Sequence, residues 1–241
     1  MHRQQPGIYP DMDFETYQQS EGLNQTTLKK GLSPQQFFPS GPESPLVFGI
    51  EAHMLLLEPD VFHQTFQRAP EGLNRRSDAS KNRWNRLEQE QGKQLIKSNR
   101  WDGLMRLQKA YAVHPGVRQF MAEGMPEVSL FWKLPETSLM LKGRPDWMNP
   151  QQKYLVDLKL ASRVDAESVR KAVTSRSCLL QAVWYLSGIK ALTGEVFAYH
   201  LIFIQKHPPH LISLYQLTDS DIQQGEQDVA EAWNVFRSKS E

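Results

Sequence analysis

The stretch GRPDWMNPQQKYLVDLKLA, from Gly143 to Ala161, decides how the rest of the chain is interpreted. Its second half is a short, mainly apolar run that predicts a strand. Asp157 and Lys159 are two positions apart on that strand, so both side chains leave the same face. Val156 and Leu158 point the other way, into the core. Charges on a core strand are costly unless they are paired or bind a metal, which makes this strand a candidate site.

Pro145-Asp146 precedes Asp157 by the length of a hairpin, with ten residues in between. Asp146 would then lie on the neighbouring strand, where a hard divalent cation can bind between two carboxylates. Lys159 can orient or activate water beside that cation. The alternative is a surface salt bridge between Asp157 and Lys159, with Asp146 as a turn residue. The combination of the pair, the gap and the core strand favours the metal site.

The order of predicted elements indicates an α+β (mixed α/β) fold with a central mixed β-sheet flanked by helices. We expect one domain over residues 1–241, divided into a mainly helical N-terminal part (1–125) and a sheet-containing catalytic core (126–241). The predicted helices are a short one at Ser33-Pro34, then Pro45–Pro59, Asp78–Gln91, Ser98–Tyr111, Ser175–Leu192 with Gly194 as its C-terminal stop, and Thr218–Arg237. The predicted strands are Val128–Leu134, Ser138–Arg144, Lys153–Lys159, Val196–Gln205 and Leu211–Leu217.

Composition narrows the class of protein. Hydrophobic residues make up 39% and charged residues 23% of the chain, as in soluble globular proteins. No apolar run is long enough to span a membrane, and the N-terminus lacks the apolar segment of a secretory signal. We therefore expect a cytoplasmic protein without a membrane partner. Cys178 is the only cysteine, which excludes an intramolecular disulfide and a cysteine-based metal cluster.

Charge is uneven along a chain whose net charge is only +1. From Arg68 to Lys109 there are eleven Lys and Arg against five Asp and Glu. Such a basic segment is compatible with contacts to phosphates, although a solvated helix face explains it equally well. The first part of this segment, Gly72 to Arg83, is predicted to be a loop that lacks a strong apolar anchor. We expect this loop to bind the phosphate backbone of DNA. The predicted contacts there are Arg75, Arg76 and Lys81.

These motifs resemble the PD-(D/E)xK nuclease superfamily, and further positions extend the resemblance to exonucleases of the RecE (exodeoxyribonuclease VIII) type. Gln181 and Tyr185 are four apart on the helix after the motif strand, so they share one face. They resemble the Q-x-x-x-Y element that flanks the metal site and contacts DNA. GIEAHMLLLEPDVF, Gly49 to Phe62, resembles the helix whose histidine binds metal, and Glu127 matches an acidic position before the motif.

The resemblance implies roles for these residues. The catalytic set would be Asp146, Asp157, Lys159, Gln181, Tyr185 and Glu127. The metal ligands would be His53, Asp146, Asp157 and the backbone carbonyl of Leu158, holding Mg²⁺ with Mn²⁺ as a substitute. The DNA contacts would be Arg75, Arg76, Lys81, Arg144, Gln181 and Tyr185. On its own, a lone histidine on an apolar helix is more often a core residue than a ligand.

The implied activity is degradation of linear double-stranded DNA from 5′ to 3′, leaving 3′ single-strand tails for recombination or repair by strand annealing. The resemblance also implies an annealing partner of the RecT type and a homo-oligomeric ring, as in phage recombination systems. The alternatives are a structure-specific or restriction-like endonuclease and a catalytically silent DNA-binding module. The silent version should have lost a carboxylate or the lysine of the motif, and all three are present.

Overall fold

The computed structural model describes residues 4–32 and 45–238. The short helix predicted at Ser33-Pro34 lies outside these residues. In chain order the described helices are α1 (Phe14–Gln19), α2 (Gln25–Leu32), α3 (Pro45–Leu57), α4 (Pro59–Thr65), α5 (Asp78–Gln91), α6 (Ser98–Val113), α7 (Pro115–Phe120), α8 (Ala166–Val173), α9 (Arg176–Thr193) and α10 (Asp219–Ser238). The strands are β1 (Gly7–Tyr9), β2 (Phe66–Arg68), β3 (Gln94–Ile96), β4 (Met125–Pro126), β5 (Ser129–Lys133), β6 (Met140–Gly143), β7 (Trp147–Asn149), β8 (Tyr154–Ala161), β9 (Ala198–Gln205) and β10 (Ile212–Gln216).

The main sheet has five strands in the order β10-β9-β8-β7-β4. Strands β8 and β9 are parallel, and the other neighbouring pairs are antiparallel. The parallel pair requires a crossover, which α8 and α9 provide. Helix α9 ends at Gly194, whose φ of 75° is the left-handed conformation predicted for this C-terminal stop. The sheet is therefore mixed and flanked by helices, which confirms the predicted fold class.

Both faces of β8 are covered, which explains its nearly continuous apolar sequence. Val156 and Leu158 pack with the cluster that contains the buried residues of α3 and α6, as the alternation predicts. Leu155 belongs to the cluster on the opposite face, where α9 contributes Leu180 and Trp184. Since Asp157 and Lys159 share the face of Leu155, their charges lie between the sheet and α9 rather than on an open surface.

The expectation of a single sheet is wrong. Strand β5 pairs with both β1 and β6, and the three form a separate antiparallel sheet in the order β1-β5-β6. Two short segments therefore connect the two sheets directly: one leads from β4 to β5 through Glu127, and the other leads from β6 back to β7 through 144–146. Alternation of apolar residues predicts strands but does not show which sheet each strand joins. The three-residue strand β7, too short for the pattern to reveal, forms the hairpin with β8.

The segment before the sheets is mainly helical, but its predicted polar loop is shorter and better anchored than expected. Helix α5 begins at Asp78, as the helix prediction has it, and is capped by the Ser77 side chain, so the overlapping loop prediction for 72–83 is correct only for the part before the helix. Trp84 on α5 is buried with Ala69 and Leu95, and Leu73 packs against them. The expected lack of an apolar anchor was therefore wrong. Within the described ranges, no helix is long and apolar enough to cross a membrane.

Candidate metal centre

The two passages between the sheets bring two carboxylates together. Glu127 joins β4 to β5 with a φ of 51°, an uncommon left-handed conformation for a residue with a side chain. Its backbone N–H donates to the carbonyl of Asp146 at 2.9 Å. Asp146 stands immediately before β7 on the other passage. The junction of the two sheets thus fixes the positions of both acidic residues.

Asp146 also contacts the motif strand. Its carboxylate accepts a hydrogen bond from the backbone N–H of Leu158 at 2.7 Å, and its side chain is 13% exposed. The Nδ1 atom of His53 lies 3.6 Å from the same carboxylate oxygen. The backbone of Leu158 is also close enough to the His53 ring to raise its pKa, against the larger lowering by burial. The predicted hairpin therefore brings Asp146 to Leu158, and α3 brings His53 to both.

Among the described residues, His53, Glu127 and Asp146 offer ligand atoms that all lie within 4.8 Å of one another. Two carboxylates and one imidazole suit a divalent cation such as Mn²⁺ or Mg²⁺ better than a soft metal that prefers thiolates. The Leu158 carbonyl adds a further hard oxygen donor nearby. The residues present therefore fit a divalent cation.

Glu127 is held in place by Arg144. The guanidinium donates to the Glu127 carboxylate at 2.7 Å, to the Met12 carbonyl at 2.8 Å and to the Ser129 hydroxyl at 2.5 Å. The Arg144 side chain is only 8% exposed. In this arrangement Arg144 positions an acidic residue of the site and has little surface left for the predicted contact with DNA.

Asp157 and Lys159 form a second group with Gln181 of α9. The Lys159 ammonium lies 2.5 Å from one Asp157 oxygen and donates to the Gln181 side-chain oxygen at 3.0 Å. The Gln181 amide nitrogen donates to the other Asp157 oxygen at 2.7 Å. Asp157 is 1% exposed, whereas Lys159 is 29% exposed. The structure thus brings these three predicted residues together, with the lysine as the accessible member.

Crowded carboxylates dominate the electrostatics. Burial, reinforced by the negative charge of Asp157, raises the pKa of Asp146 well above its ordinary value. Burial and Asp146 raise the pKa of Glu127 to about 7. Burial opposes the charge of Lys159, but Asp157 and Asp146 outweigh it and raise the lysine pKa. Burial lowers the pKa of His53, which favours the neutral ring that binds metal. A divalent cation would relieve this excess of negative charge.

Tyr185, the second member of the predicted helix pair, is 6% exposed. Its ring stands so close to Gly143 that a Cβ there would be 2.8 Å away. Tyr185 therefore lies on the same helix face as Gln181 and fills the space beside β6. The glycine at position 143 allows that close approach.

The predicted DNA contacts on the basic segment are exposed but mostly paired. Arg75 bonds Glu88 at 3.0 Å and lies 4.8 Å from the centre of the Trp84 ring. Lys81 pairs with Asp78 at 3.1 Å. Arg76 lines the same cavity as Arg75 and Trp84. None of the three belongs to the group of potential metal ligands.

Lys29 of α2 is a charged neighbour of the site that the sequence did not single out. Burial and the charge of Lys159 lower its pKa to about 8, and Asp157 acts in the opposite direction. Lys29 precedes another lysine on a short polar helix, so no local pattern distinguishes it. Only the approach of α2 to α9 in the folded chain reveals its position.

A buried strand with an aspartate and a lysine on one face, paired with a hairpin strand preceded by a second aspartate, defines the PD-(D/E)xK nuclease class. The chain belongs to the family described as PDDEXK-like domain of unknown function (DUF3799), whose model matches residues 18–238. Among curated proteins, none matches the chain.

A solved structure shares this fold. A candidate exonuclease from Eubacterium rectale is 13% identical, with a TM-score of 0.58 over 96% of this chain and 88% of that chain. An alkaline exonuclease from Laribacter hongkongensis is 13% identical over 69% of this chain and 84% of that one, with a TM-score of 0.33. At an identity of 13% the likeness concerns the fold alone, and only the first of these two structures, with its TM-score of 0.58, supports a shared fold.

Proposed function

We propose that this protein is a divalent-metal-dependent DNA exonuclease of the RecE type. The observation that carries the proposal is the convergence of His53, Glu127 and Asp146 within 4.8 Å, at the strand that presents Asp157 and Lys159. The family contributes the nuclease fold, and the sequence resemblance contributes the RecE type. The substrate would be linear double-stranded DNA, degraded from 5′ to 3′ with Mg²⁺ or Mn²⁺.

The potential metal ligands and the group around Lys159 would have different roles in cleavage. His53, Glu127 and Asp146 would hold the cation, with Asp157 and the Leu158 carbonyl beside them. A bound divalent cation supplies positive charge next to the phosphate and lowers the pKa of water. Lys159 is accessible enough to meet a phosphate, and Asp157 and Gln181 fix its ammonium. A fixed positive charge stabilises the negative charge that develops during attack on phosphorus.

The proposal is tested by incubating linear and covalently closed circular duplexes with Mg²⁺ or Mn²⁺. We expect nucleotides to be released from the linear DNA only, with a 5′ label lost before a 3′ label. Cleavage of the closed circle would instead establish the endonuclease alternative. Binding of DNA without any cleavage, in either metal, would establish the catalytically silent alternative.

Two variants separate the roles of the motif residues. Asp157→Asn and Lys159→Gln should both abolish cleavage, but only Asp157→Asn should weaken Mn²⁺ binding in calorimetry. Residual cleavage above about a tenth of wild type in either variant would contradict the assigned roles, because one lost electrostatic contact of this kind costs about a hundredfold or more.

The biological setting follows from the same resemblance. Tails of 3′ single strand are the substrate of a RecT-type annealing protein, so the two proteins together should join homologous duplex ends more efficiently than the annealing protein alone. A ring-shaped homo-oligomer would enclose the duplex. Sedimentation of the full chain with and without DNA measures that assembly, and a monomer under both conditions would exclude it.

A further inference from the structure

A second cavity adjoins the metal centre at the carboxyl ends of β8 and β9. Its volume is about 570 Å³, and Ser162, which follows β8, and Lys206, which follows β9, both line it. The Lys206 backbone N–H donates to the carbonyl of Ala161, which joins the two strand ends. In open sheets with parallel strands, ligands bind beyond the carboxyl ends. The position of this cavity, beyond the carboxyl ends of β8 and β9, therefore makes it a candidate ligand site.

The cavity is positively charged. Arg106 on α6 and Lys206 line it together with Arg100, and no described lining residue carries a carboxylate. Arg100 is bonded to Glu51 at 2.8 Å, so part of its charge is neutralised. Within residues 4–32 and 45–238, the carboxylate nearest in effect to Arg106 is that of Asp102, which does not line the cavity and is bonded to Arg68 at 2.9 Å. The lining therefore favours an anion.

His210 provides an independent observation on the same cavity. It is 6% exposed, lines the cavity and has a left-handed backbone with a φ of 58°. Its Nδ1 atom lies 3.0 Å from the carbonyl oxygen of Gln205, so Nδ1 carries a proton. Its Nε2 atom is buried and has no hydrogen-bond partner among the described residues. A buried polar atom without a partner is costly. A phosphate in the cavity would accept a hydrogen bond from Nε2 when the ring carries a proton on both nitrogens, as in the imidazolium form.

Lys206 connects this cavity to the metal centre. It also lines the cavity at the mouth of the site, together with His53 and Glu127. A small free anion would occupy only one of the two cavities that Lys206 lines. A polyanion whose one phosphate lies at the metal centre would place neighbouring phosphates along the same surface.

We propose that the cavity lined by Arg106, Lys206 and His210 binds a backbone phosphate of the DNA next to the phosphate being cleaved. This inference rests on the proposed nuclease function and adds where the substrate runs. Contacts to phosphates set the register of the duplex without reading its sequence. The cavity would therefore hold DNA of any sequence in place while the metal centre acts.

The test is duplex binding in Ca²⁺, which blocks cleavage, measured by fluorescence anisotropy at several salt concentrations. The variant Arg106→Ala/Lys206→Ala is compared with wild type and with Lys133→Ala/Lys190→Ala. The control removes two exposed lysines, one from the end of β5 and one from the end of α9. Each lost phosphate contact reduces the slope of log affinity against log salt by about 0.9. Because the cavity would bind one phosphate, we expect a reduction of about one unit in the first variant and none in the control.

A methylphosphonate scan sharpens the test, because it neutralises one phosphate at a time. Wild type should lose affinity at a position where the Arg106→Ala/Lys206→Ala variant is indifferent. If wild type binds and cleaves duplex DNA but the variant keeps the full slope and the full scan pattern, the phosphate site is refuted and the nuclease function stands. If wild type neither binds nor cleaves DNA, both proposals fail. Thermal melting verifies that the variant, altered only outside the apolar clusters, is folded.

Discussion

Asp146 and Asp221 both have poorly exposed side chains, but they differ in the hydrogen-bond donors and charges that surround their carboxylates. The Asp221 carboxylate is 2% exposed and accepts from Arg170 at 2.9 Å and from the Tyr215 hydroxyl at 2.8 Å. It also accepts from the backbone N–H of Thr218 at 3.0 Å and from its hydroxyl at 2.8 Å. Burial alone would raise the pKa of Asp221, but these donors outweigh it and lower the pKa.

Asp146 has one backbone donor, the N–H of Leu158, and otherwise faces His53 and two acidic neighbours, Glu127 and Asp157. Its pKa is raised by burial and by Asp157, in the opposite direction to that of Asp221. A carboxylate saturated with donors stabilises a fold, as Asp221 does at the start of α10. Carboxylates crowded together with few donors would instead be stabilised by a bound cation, and on this ground we propose a functional role for Asp146 and a structural one for Asp221.

The largest expected effect comes from Asp146→Asn. The amide keeps the shape and can still accept from Leu158, but it removes one negative charge from the crowded site. Cleavage should fall at least about a hundredfold, while the melting temperature stays the same or rises. Activity assays and thermal melting in EDTA measure the two quantities. A marked loss of stability would place Asp146 in the same category as Asp221.

His53→Ala should lower cleavage by about ten- to a hundredfold at limiting metal, comparable with other losses of metal affinity around such sites. Raising Mn²⁺ should restore part of the activity. A histidine that only packs on α3 would behave differently: its removal would lower the melting temperature, and extra Mn²⁺ would not help.

Asp221→Ala is the opposite case. It leaves Arg170, Tyr215 and the Thr218 donors without their acceptor, so unfolding should become easier by about 2–4 kcal/mol. Denaturant unfolding measures this change, and cleavage per folded molecule should remain within about twofold of wild type. A large loss of specific activity with an intact fold would overturn the structural assignment of Asp221.

The sequence predicted much of this arrangement because local patterns determine it. Helix α5 was predicted with its observed bounds, and β8 was displaced by one residue at its start and two at its end. The pairing of Asp157 and Lys159 on one face follows from strand geometry. The separation of β5 and β6 from the main sheet was missed, since it depends on which strands meet over long distances. The same holds for Lys29, whose neighbours come from other elements.

The donors of Asp221 were equally invisible, since Arg170 comes from α8 and Tyr215 from β10. The capping role of Thr218 and Asp221 is local, whereas the ion pair is not. Sequence patterns therefore locate acidic residues on elements, but the number of donors around each one is a property of the fold.

The smallest effect concerns pH and follows from the signs of the two pKa shifts. The pKa of Asp221 is lower in the folded than in the unfolded chain, so its contribution is present above about pH 4 and is lost as pH falls through the folded value. The stability difference between wild type and Asp221→Asn should shrink accordingly under acid conditions. The pKa of Asp146 is raised in the folded chain, so its negative charge destabilises the fold at neutral pH. The variant Asp146→Asn should therefore be more stable than wild type at neutral pH, and this difference should shrink as the pH falls. Unfolding at pH 3 to 7 in EDTA measures both series, and parallel curves would contradict the comparison.

Calorimetric titration of Mn²⁺ into wild type, Asp146→Asn and Asp221→Asn tests the central claim most directly. The claim is that His53, Glu127 and Asp146 form a metal centre, whereas Asp221, which is even less exposed, does not take part. Wild type and Asp221→Asn should bind Mn²⁺ with the same affinity and stoichiometry, and Asp146→Asn should lose at least about tenfold in affinity. Unchanged binding in Asp146→Asn, or absence of Mn²⁺ binding in wild type, would contradict the account.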